Sequence, residues 1–322
     1  MKLKERGFLA FILFTCISSA QTGVTLVDAG YSDPTFVNIA PGQVTTLFVT
    51  GATTILPPQA TIQRATQVPW PTILAGFSVS IAQHPGNTES LPIYSVEQTN
   101  NCFAVTIPVP ECIVTAISVQ VPFDVIPPEE IASFGRFTTI AISEGGTPSK
   151  SFNVNLLPQN FHILRTCDTT MANRVAAIFP IACSDVVAHA DGSLVTASSP
   201  AKIGEEVVMY AFGLGATSPT ITAGQPAPVP APTANGNFGI SFAYSGEGVP
   251  SLQERPSLTP NPVFVGLTPG QVGLYQVNFI VESPAAPPMD CSGPDQANLS
   301  AQLFTSGSIA TARICVATGS AQ

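Results

Sequence analysis

The side chains with the most reactive chemistry in this chain are its cysteines, and their number and spacing predict disulfide bonds. Seven cysteines occur among 322 residues, and six of them follow residue 20. These six are Cys102, Cys112, Cys167, Cys183, Cys291 and Cys315. An even number is typical of disulfides in an exported protein, and the spacing favours bonds between neighbours: Cys102–Cys112, Cys167–Cys183 and Cys291–Cys315. A metal site is the alternative, but no CxxC motif is present and the three histidines lie far away in sequence. We therefore predict no metal and no cofactor.

Histidine, the usual general base, occurs at positions 84, 162 and 189. His84 precedes a Pro-Gly pair and His189 precedes an Asp-Gly turn, so both are predicted to be exposed turn residues. No G-x-S-x-G, H-E-x-x-H, G-x-G-x-x-G or P-loop motif occurs. The order of residues alone leaves a Ser-His-Asp arrangement open, but no motif supports it.

Paired carboxylates could catalyse glycoside hydrolysis, and the candidates are Glu129-Glu130, Glu205-Glu206 and Asp185. Adjacent residues of a strand point to opposite faces of a sheet. Such pairs are therefore poorly placed to share a catalytic cleft. We predict no catalytic residue and no enzyme, and a hydrolase is the least expected alternative.

Aromatic residues offer a different chemistry, which is binding without reaction. Trp70 lies between prolines in Val68-Pro69-Trp70-Pro71, and Tyr94 follows in a predicted strand. An exposed tryptophan stacks on a sugar or packs against a protein partner. Trp70 could instead plug the end of a sandwich core, and this is the interpretation that we favour for it. Trp70 and Tyr94 are the predicted ligand contacts.

The first 20 residues are typical of a secretory signal peptide. A basic start precedes the apolar stretch 8–17, and the small residues 18–20 follow, so we predict cleavage after Ala20. Cys16 lacks the small preceding residue that favours lipidation. No later apolar run is long enough to cross a bilayer. Without the signal, three basic residues and one acidic residue are lost from 11 and 20, which leaves a net charge of −11. This charge disfavours nucleic acid and anionic membranes as partners.

The elements that must position these side chains are predicted to be strands. Charged residues make up only 10% of the chain, and 31 prolines and 25 glycines punctuate it. Alternating apolar residues between these turn residues indicate short strands rather than helices. The length suggests about two domains.

An internal repeat supports two domains. Residues 42–51 align with 204–213, residues 76–79 with 239–242, and residues 117–121 with 275–279, at offsets of 162, 163 and 158. Three ordered matches at similar offsets indicate a duplicated domain. The aromatic residues Tyr210, Phe212, Tyr275 and Phe279 are predicted to fill a core.

Three segments carry a resemblance to a known family. They are Pro41-Gly42-Gln43-Val44, the stretch from His189 to Gly215, and residues 267–278, which read LTPGQVGLYQVN. In them the chain resembles the uncharacterised C-terminal domain family abundant in Solibacter and other Acidobacteria, which is similar to immunoglobulin-like IPT/TIG domains. The resemblance covers residues 187–281 well and residues 24–125 loosely. It implies a fold and an exported location, and it implies no activity.

Together these observations predict an all-β protein with two tandem immunoglobulin-like β-sandwich domains. Residues 1–20 are the signal peptide, 21–165 the first domain and 166–322 the second, Solibacter-type domain. The predicted function is non-catalytic interaction, adhesion or spacing, in secreted form or at the cell surface. The partner is an unknown extracellular protein or glycan, and a carbohydrate-binding protein is the alternative.

Overall fold

The computed structural model describes residues 25–29, 37–57, 61–100, 112–128, 137–148, 151–168, 183–244, 261–283, 290–291 and 296–317. Each regular element in these ranges is a β-strand, so the all-β prediction is confirmed. The predicted signal peptide, residues 1–20, lies outside the described residues.

The first half of the chain folds into two sheets that face each other. The strands of its first sheet are β1 (Thr25–Ala29), β3 (Val44–Thr50), β4 (Ile62–Arg64), β8 (Ile93–Asn100) and β9 (Ile113–Gln120), in the spatial order β1-β3-β9-β8-β4. The strands of its second sheet are β2 (Asn38–Ile39), β5 (Ile73–Leu74), β6 (Phe77–His84), β7 (Thr88–Ser90), β10 (Phe137–Glu144), β11 (Thr147–Pro148) and β12 (Phe152–Leu156), with the order β2-β12-β10-β6-β5.

Alternation of side chains places the first core between these sheets. In β3, Leu47 and Val49 are buried while their neighbours are half-buried, because successive residues of a strand point to opposite faces. Leu47 and Ile117 from one sheet join Phe77 and Ile140 from the other in a single apolar cluster. The first half is therefore a β-sandwich.

The second half has a similar pair of sheets. The strands of its larger sheet are β13 (His162–Ile163), β14 (Val187–Ala188), β15 (Glu206–Phe212), β16 (Thr217–Ser218), β17 (Thr233–Ala234), β19 (Phe264–Leu267) and β20 (Tyr275–Ile280), in the order β13-β15-β20-β19-β17-β16, with β14 paired to β15. The strands of its smaller sheet are β18 (Gly239–Tyr244), β21 (Leu299–Phe304) and β22 (Ile309–Ile314), in that order. Strand β13 precedes the predicted domain boundary at residue 165, yet it pairs with β15.

The repeat detected in the sequence has a counterpart in the strand order. The run β3-β9-β8-β4 in the first half corresponds to β15-β20-β19-β17 in the second, and β12-β10-β6 corresponds to β22-β21-β18. The register corrects one of the three sequence matches. Val44 pairs with Gln120, and Glu206 pairs with Ile280, so Gln120 and Ile280 are equivalent and the offset in this strand is 160. The alignment at offset 158 was wrong by two residues, because a strand keeps its apolar alternation when it is shifted by two.

Two of the four aromatic residues predicted to fill a core do so. Tyr275 and Phe279 are fully buried in the second apolar cluster. Tyr210 and Phe212 lie on the opposite face of β15 and are half-buried there. The reason is again alternation, since Tyr210 shares its face with Gln276 of the neighbouring strand.

Candidate functional site

The structure brings the two predicted ligand contacts together. The ring centroids of Trp70 and Tyr94 lie 5.0 Å apart, with the ring planes inclined at 37°. Tyr94 is 38% exposed, and Trp70 is half-buried. Trp70 belongs to neither apolar core cluster. It packs against Tyr94 at the surface, and we call these two rings the aromatic pair.

Backbone hydrogen bonds hold both segments of the aromatic pair in place. The Trp70 N–H donates to the Gly224 carbonyl at 3.0 Å, and the Ile93 N–H donates to the Pro71 carbonyl at 2.7 Å. The carbonyl of Tyr94 accepts the Ala65 N–H at 2.7 Å. The register of β8 on β9 shifts between Ile93 and Ser95, so Tyr94 is the extra residue of a bulge, a feature that re-aims a side chain.

The aromatic pair keeps polar groups available for a ligand. Within the described residues, neither Trp70 Nε1 nor the Tyr94 hydroxyl has a hydrogen-bond partner, although buried tryptophan and tyrosine usually acquire one. Exposed apolar side chains lie nearby in sequence, with Val68 56% and Ile73 66% exposed. Two rings with free polar edges can stack on a ligand and orient it by hydrogen bonds.

The aromatic pair lies at the junction between the two halves. Gly224, which anchors the Trp70 backbone, belongs to the second half and is buried. Its N–H donates to Gln120 Oε1 of the first half at 2.6 Å, and a Cβ placed on it would meet the Pro92 ring at 3.0 Å. Any movement of one half against the other would therefore disturb the support of Trp70.

The junction is tightly packed away from the aromatic pair as well. Phe123 follows strand β9 of the first half, yet it is 2% exposed and belongs to the apolar cluster of the second half. A Cβ on Gly42 would lie 2.5 Å from the Tyr275 hydroxyl and closer still to the Phe123 ring. A Cβ on Gly273 would lie 2.5 Å from Val44. The two halves contact each other without room for one additional methyl group at these positions.

A second cluster surrounds His189, and its distances are those of a Ser-His-acid arrangement. His189 Nδ1 lies 2.6 Å from Glu205 Oε1, and His189 Nε2 lies 3.3 Å from Ser199 Oγ. The side chain of His189 is only 14% exposed, so the prediction of an exposed turn residue was wrong. The sequence signal was weak, because His189 and Glu205 are 16 residues apart and meet only when the loop folds back onto β15.

The direction of the hydrogen bonds in this cluster differs from that in a cluster where histidine activates a serine. His189 Nε2 also lies 3.1 Å from the Ser199 carbonyl oxygen, which only accepts hydrogen bonds, so this nitrogen donates. The hydrogen bond with Glu205 raises the pKa of His189 above its ordinary 6.5, against the opposing effect of partial burial. An imidazole that is a donor at both nitrogens cannot remove a proton from Ser199. The arrangement fastens the loop to the turn before β15.

The carboxylates proposed for hydrolysis have separate partners. Glu205 bonds to His189, whereas Glu206 Oε1 accepts from Asn278 at 2.9 Å on the other side of the strand. Asp185 accepts from the Arg165 side chain at 3.1 Å and from the Arg313 backbone N–H at 2.7 Å. Glu129 and Glu130 lie outside the described residues. The described candidates thus do not converge on one cleft.

The other two histidines occupy different environments. His162 Nε2 lies 2.6 Å from Asp168 Oδ2. The ring of His84 stacks on Phe137 at 4.5 Å, at an exposed end of β6. The prediction of an exposed position is therefore correct for His84.

The cysteine pairing predicted from spacing is present wherever the structure describes both partners. Cys167 is bonded to Cys183 and Cys291 to Cys315, with Cα–Cα distances of 5.4 and 5.7 Å. Cys112 is also disulfide-bonded, and its predicted partner Cys102 lies outside the described residues.

Among the residues described, no group of three or more His, Cys, Asp or Glu side chains is arranged to hold a metal ion. The described residues also contain no helix of the length and apolarity needed to cross a membrane.

A scan against protein-family models and a search of curated proteins find no match to this chain.

Proposed function

We propose that this chain is an exported, non-catalytic protein whose tandem immunoglobulin-like sandwiches form one rigid unit and present the aromatic pair to an extracellular partner. The observation that carries the proposal is the exposed contact of Trp70 with Tyr94, whose backbone support comes from both halves. The disulfides support export, because such bonds persist in oxidising compartments.

The packed junction supports the proposal that the two sandwiches form one rigid unit. Interfaces between domains usually permit relative motion unless they are large and apolar. Here an aromatic side chain of the first half lies in the core of the second, and Gln120 bridges to Gly224 within a buried region. Such a unit holds a surface at a fixed distance and orientation.

The resemblance to the Solibacter-type family supports the immunoglobulin-like part of the proposal. The Gly-Leu-Gly that follows β15 and the Pro-Gly-Gln that precedes β20 lie outside the strands, and there Gly213, Gly215 and Gly270 have positive φ angles of 76°, 96° and 74°. Glycine adopts these angles without steric cost. The glycines of the motif therefore act in folding.

Substitution of the aromatic pair tests the proposal. Trp70→Ala and Tyr94→Ala should each weaken capture of an extracellular partner at least about tenfold, since buried aromatic anchors contribute about 2 kcal/mol or more to an interface. The measurement is binding of the purified chain to the surface of its source cells. Phe137→Ala is the matched control, because Phe137 is 52% exposed in the same half and is remote in sequence from the aromatic pair.

Equal binding by native chain, Trp70→Ala and Tyr94→Ala would refute the assignment of the site. Circular dichroism and a thermal melt must show that both variants fold, since Trp70 also contributes to the junction through its backbone. That contribution remains in the alanine variant, because the Trp70 N–H donor to Gly224 belongs to the main chain.

A carbohydrate ligand is the second candidate, and the free Nε1 and hydroxyl groups of the aromatic pair favour it. Pyranose rings present apolar C–H faces that stack on aromatic rings and hydroxyls that accept and donate hydrogen bonds. Glycan-array binding that is lost in Trp70→Ala would select this candidate over a protein partner.

A further inference from the structure

The outward face of the larger sheet in the second half has an ordered pattern that the proposed function does not use. Strands β15, β20 and β19 place residues on this face in rows: Tyr210–Gln276–Gly266, then Val208–Asn278–Phe264, then Glu206–Ile280. The residues between them, such as Met209 and Val277, are buried in the core. We call these outward residues the β20 face.

A line of hydrogen-bonded polar side chains crosses the β20 face. Gln276 Nε2 donates to Asn278 Oδ1 at 3.0 Å, and Asn278 Nδ2 donates to Glu206 Oε1 at 2.9 Å. Among the described residues, Gln276 Oε1 and Glu206 Oε2 have no donor, and each amide keeps a second N–H. The line therefore presents fixed acceptors and donors side by side, oriented by their own contacts.

Aromatic rings flank this line on both sides. A Cβ on Gly266 would lie 2.5 Å from Phe264 Cζ, so the Phe264 ring lies along the sheet over Gly266, next to Gln276. On the other side, Tyr210 is directly opposite Gln276 in the register, and its hydroxyl has no partner among the described residues. Gln276 is thus placed between two rings.

We propose that the β20 face binds an uncharged polysaccharide. The rings of Tyr210 and Phe264 stack on the C–H faces of sugar residues, while Gln276, Asn278 and Glu206 exchange hydrogen bonds with hydroxyls. A polar line at the centre of the face fits a polyhydroxyl ligand better than a protein, because protein interfaces place apolar anchors centrally and polar groups at the rim. The inference goes beyond the proposed function, since it concerns a different surface in the other half.

The test uses the purified native chain against soluble xylan and mixed-linkage glucan and insoluble cellulose and chitin. Binding is measured by affinity electrophoresis and by depletion from solution. Gln276→Ala and Asn278→Ala should each weaken binding about threefold to tenfold, the effect of one lost hydrogen bond to a ligand. Gln302→Ala is the matched control, a half-buried amide on the outward side of the smaller sheet that bonds to Thr311 Oγ1 at 3.4 Å, and it should leave binding unchanged.

Each result decides the inference, provided that the variants melt within about 3 °C of the native chain. Loss of binding in the two β20-face variants and not in Gln302→Ala supports it. Binding to none of the four polysaccharides overturns it, as does equal binding by all variants. Loss only in Trp70→Ala overturns it while supporting the proposed site, and capture of a protein but no glycan through Gln276 overturns the ligand class.

Discussion

The two halves of the molecule contain the same turn before their equivalent strands β3 and β15, and the turn has a different role in each. In the first half, Gln43 Oε1 accepts the Ala40 N–H at 2.8 Å. In the second half, Glu205 Oε2 accepts the Lys202 N–H at 2.8 Å. A glycine of positive φ precedes each of these residues, Gly42 at 70° and Gly204 at 82°. One local structure therefore folds from a neutral side chain in one half and from a charged one in the other.

The surroundings of these turns explain the difference. The turn of the first half is covered by the second half, and Gln43 is fully buried beside Asn160, whose Nδ2 donates to Gln43 Oε1 at 3.3 Å. The turn of the second half has no copy stacked on it within the described residues, and its carboxylate pairs with His189. A buried position disfavours an unpaired charge, while a partly exposed one accepts it. Both halves contain the turn, and the contact between the halves accounts for its different chemistry in each.

The largest expected effect comes from Phe123, which has no aromatic equivalent in the second half. Phe123→Ala should lower the free energy of unfolding by about 3–5 kcal/mol and should destabilise the second half although the residue belongs to the first. Urea unfolding followed by Trp70 fluorescence and by circular dichroism measures this. Phe137→Ala, an exposed control, should cost less than about 1 kcal/mol. Similar losses in both variants would contradict the assignment of Phe123 to the second core.

The next largest effect on stability is expected from substitution of the two turn glycines, Gly42 and Gly204. Gly42→Ala should cost about 3 kcal/mol, since left-handed backbone strain of about 1–2 kcal/mol is joined by overlap with Phe123 and Tyr275. Gly204→Ala has only the backbone strain, because no described atom lies within 4 Å of its added Cβ. Chemical denaturation of both variants measures the difference. If Gly204→Ala costs as much as Gly42→Ala, the junction is less tightly packed than described.

A smaller effect is expected at Gln120, whose equivalent in the second half is Ile280. Gln120 is fully buried under the second half, whereas Ile280 is 46% exposed. Gln120→Ala should cost about 1–3 kcal/mol because it leaves the buried Gly224 N–H without an acceptor. Gln302→Ala should change stability by less than about 0.5 kcal/mol. Thermal melts of both variants test the claim, and an unchanged melting temperature for Gln120→Ala would show that the bridge is dispensable.

The smallest expected effect is a pH dependence confined to the second turn. The pKa of His189 is raised in the folded state. The contribution of His189 to stability is therefore complete below pH 6.5 and is lost as the pH rises through the folded pKa. Burial alone would raise the pKa of Glu205, but hydrogen bonds from His189 and from the Lys202 N–H lower it overall. The contribution of Glu205 to stability is complete above pH 4.5 and is lost as the pH falls through the folded pKa of Glu205.

Glu205→Gln reproduces the neutral turn of the first half and tests this dependence. The variant should keep the turn, lose about 1 kcal/mol or less between these two pH values, and flatten the stability profile. Denaturation midpoints between pH 4 and 9 provide the profile. Gln43→Glu is not a suitable reciprocal variant, because it would bury a charge. The control is Glu206→Gln, which changes the neighbouring residue on the opposite face of the strand and should leave the profile of stability against pH unchanged. A native profile that survives in Glu205→Gln would assign the dependence to other groups.

Much of the architecture was predictable because it depends on local patterns. Alternating apolar residues predicted short strands in place of helices, since one buried face imposes a period of two. Short sequence separations predicted the disulfides Cys167–Cys183 and Cys291–Cys315, because each closes a short loop. The internal repeat predicted the shared strand order. The alternation and the cysteine spacing are carried by residues near one another in the chain, and the repeat is read from the order of such local segments.

Features that depend on distant contacts were not predictable in this way. Trp70 was interpreted as a cap on a core, whereas it pairs with Tyr94 at the junction, because Gly224, 154 residues later, supports its backbone. His189 was interpreted as an exposed turn residue, although the folded loop places it against Glu205. The register of β20 was two residues from its aligned position, since alternation alone does not distinguish shifts by two.

The sequence by itself determined that the chain is all-β and cross-linked by neighbouring cysteines, because alternation, turn residues and short loops are local features. Only the tertiary structure decided which copies of a repeated position are buried. Gly42 and Gly204, Gln43 and Glu205, and Gln120 and Ile280 are pairs of equivalent residues with different surroundings. The physical reason is that the second half packs on the first, and this contact buries one member of each pair while it leaves the other at least partly exposed.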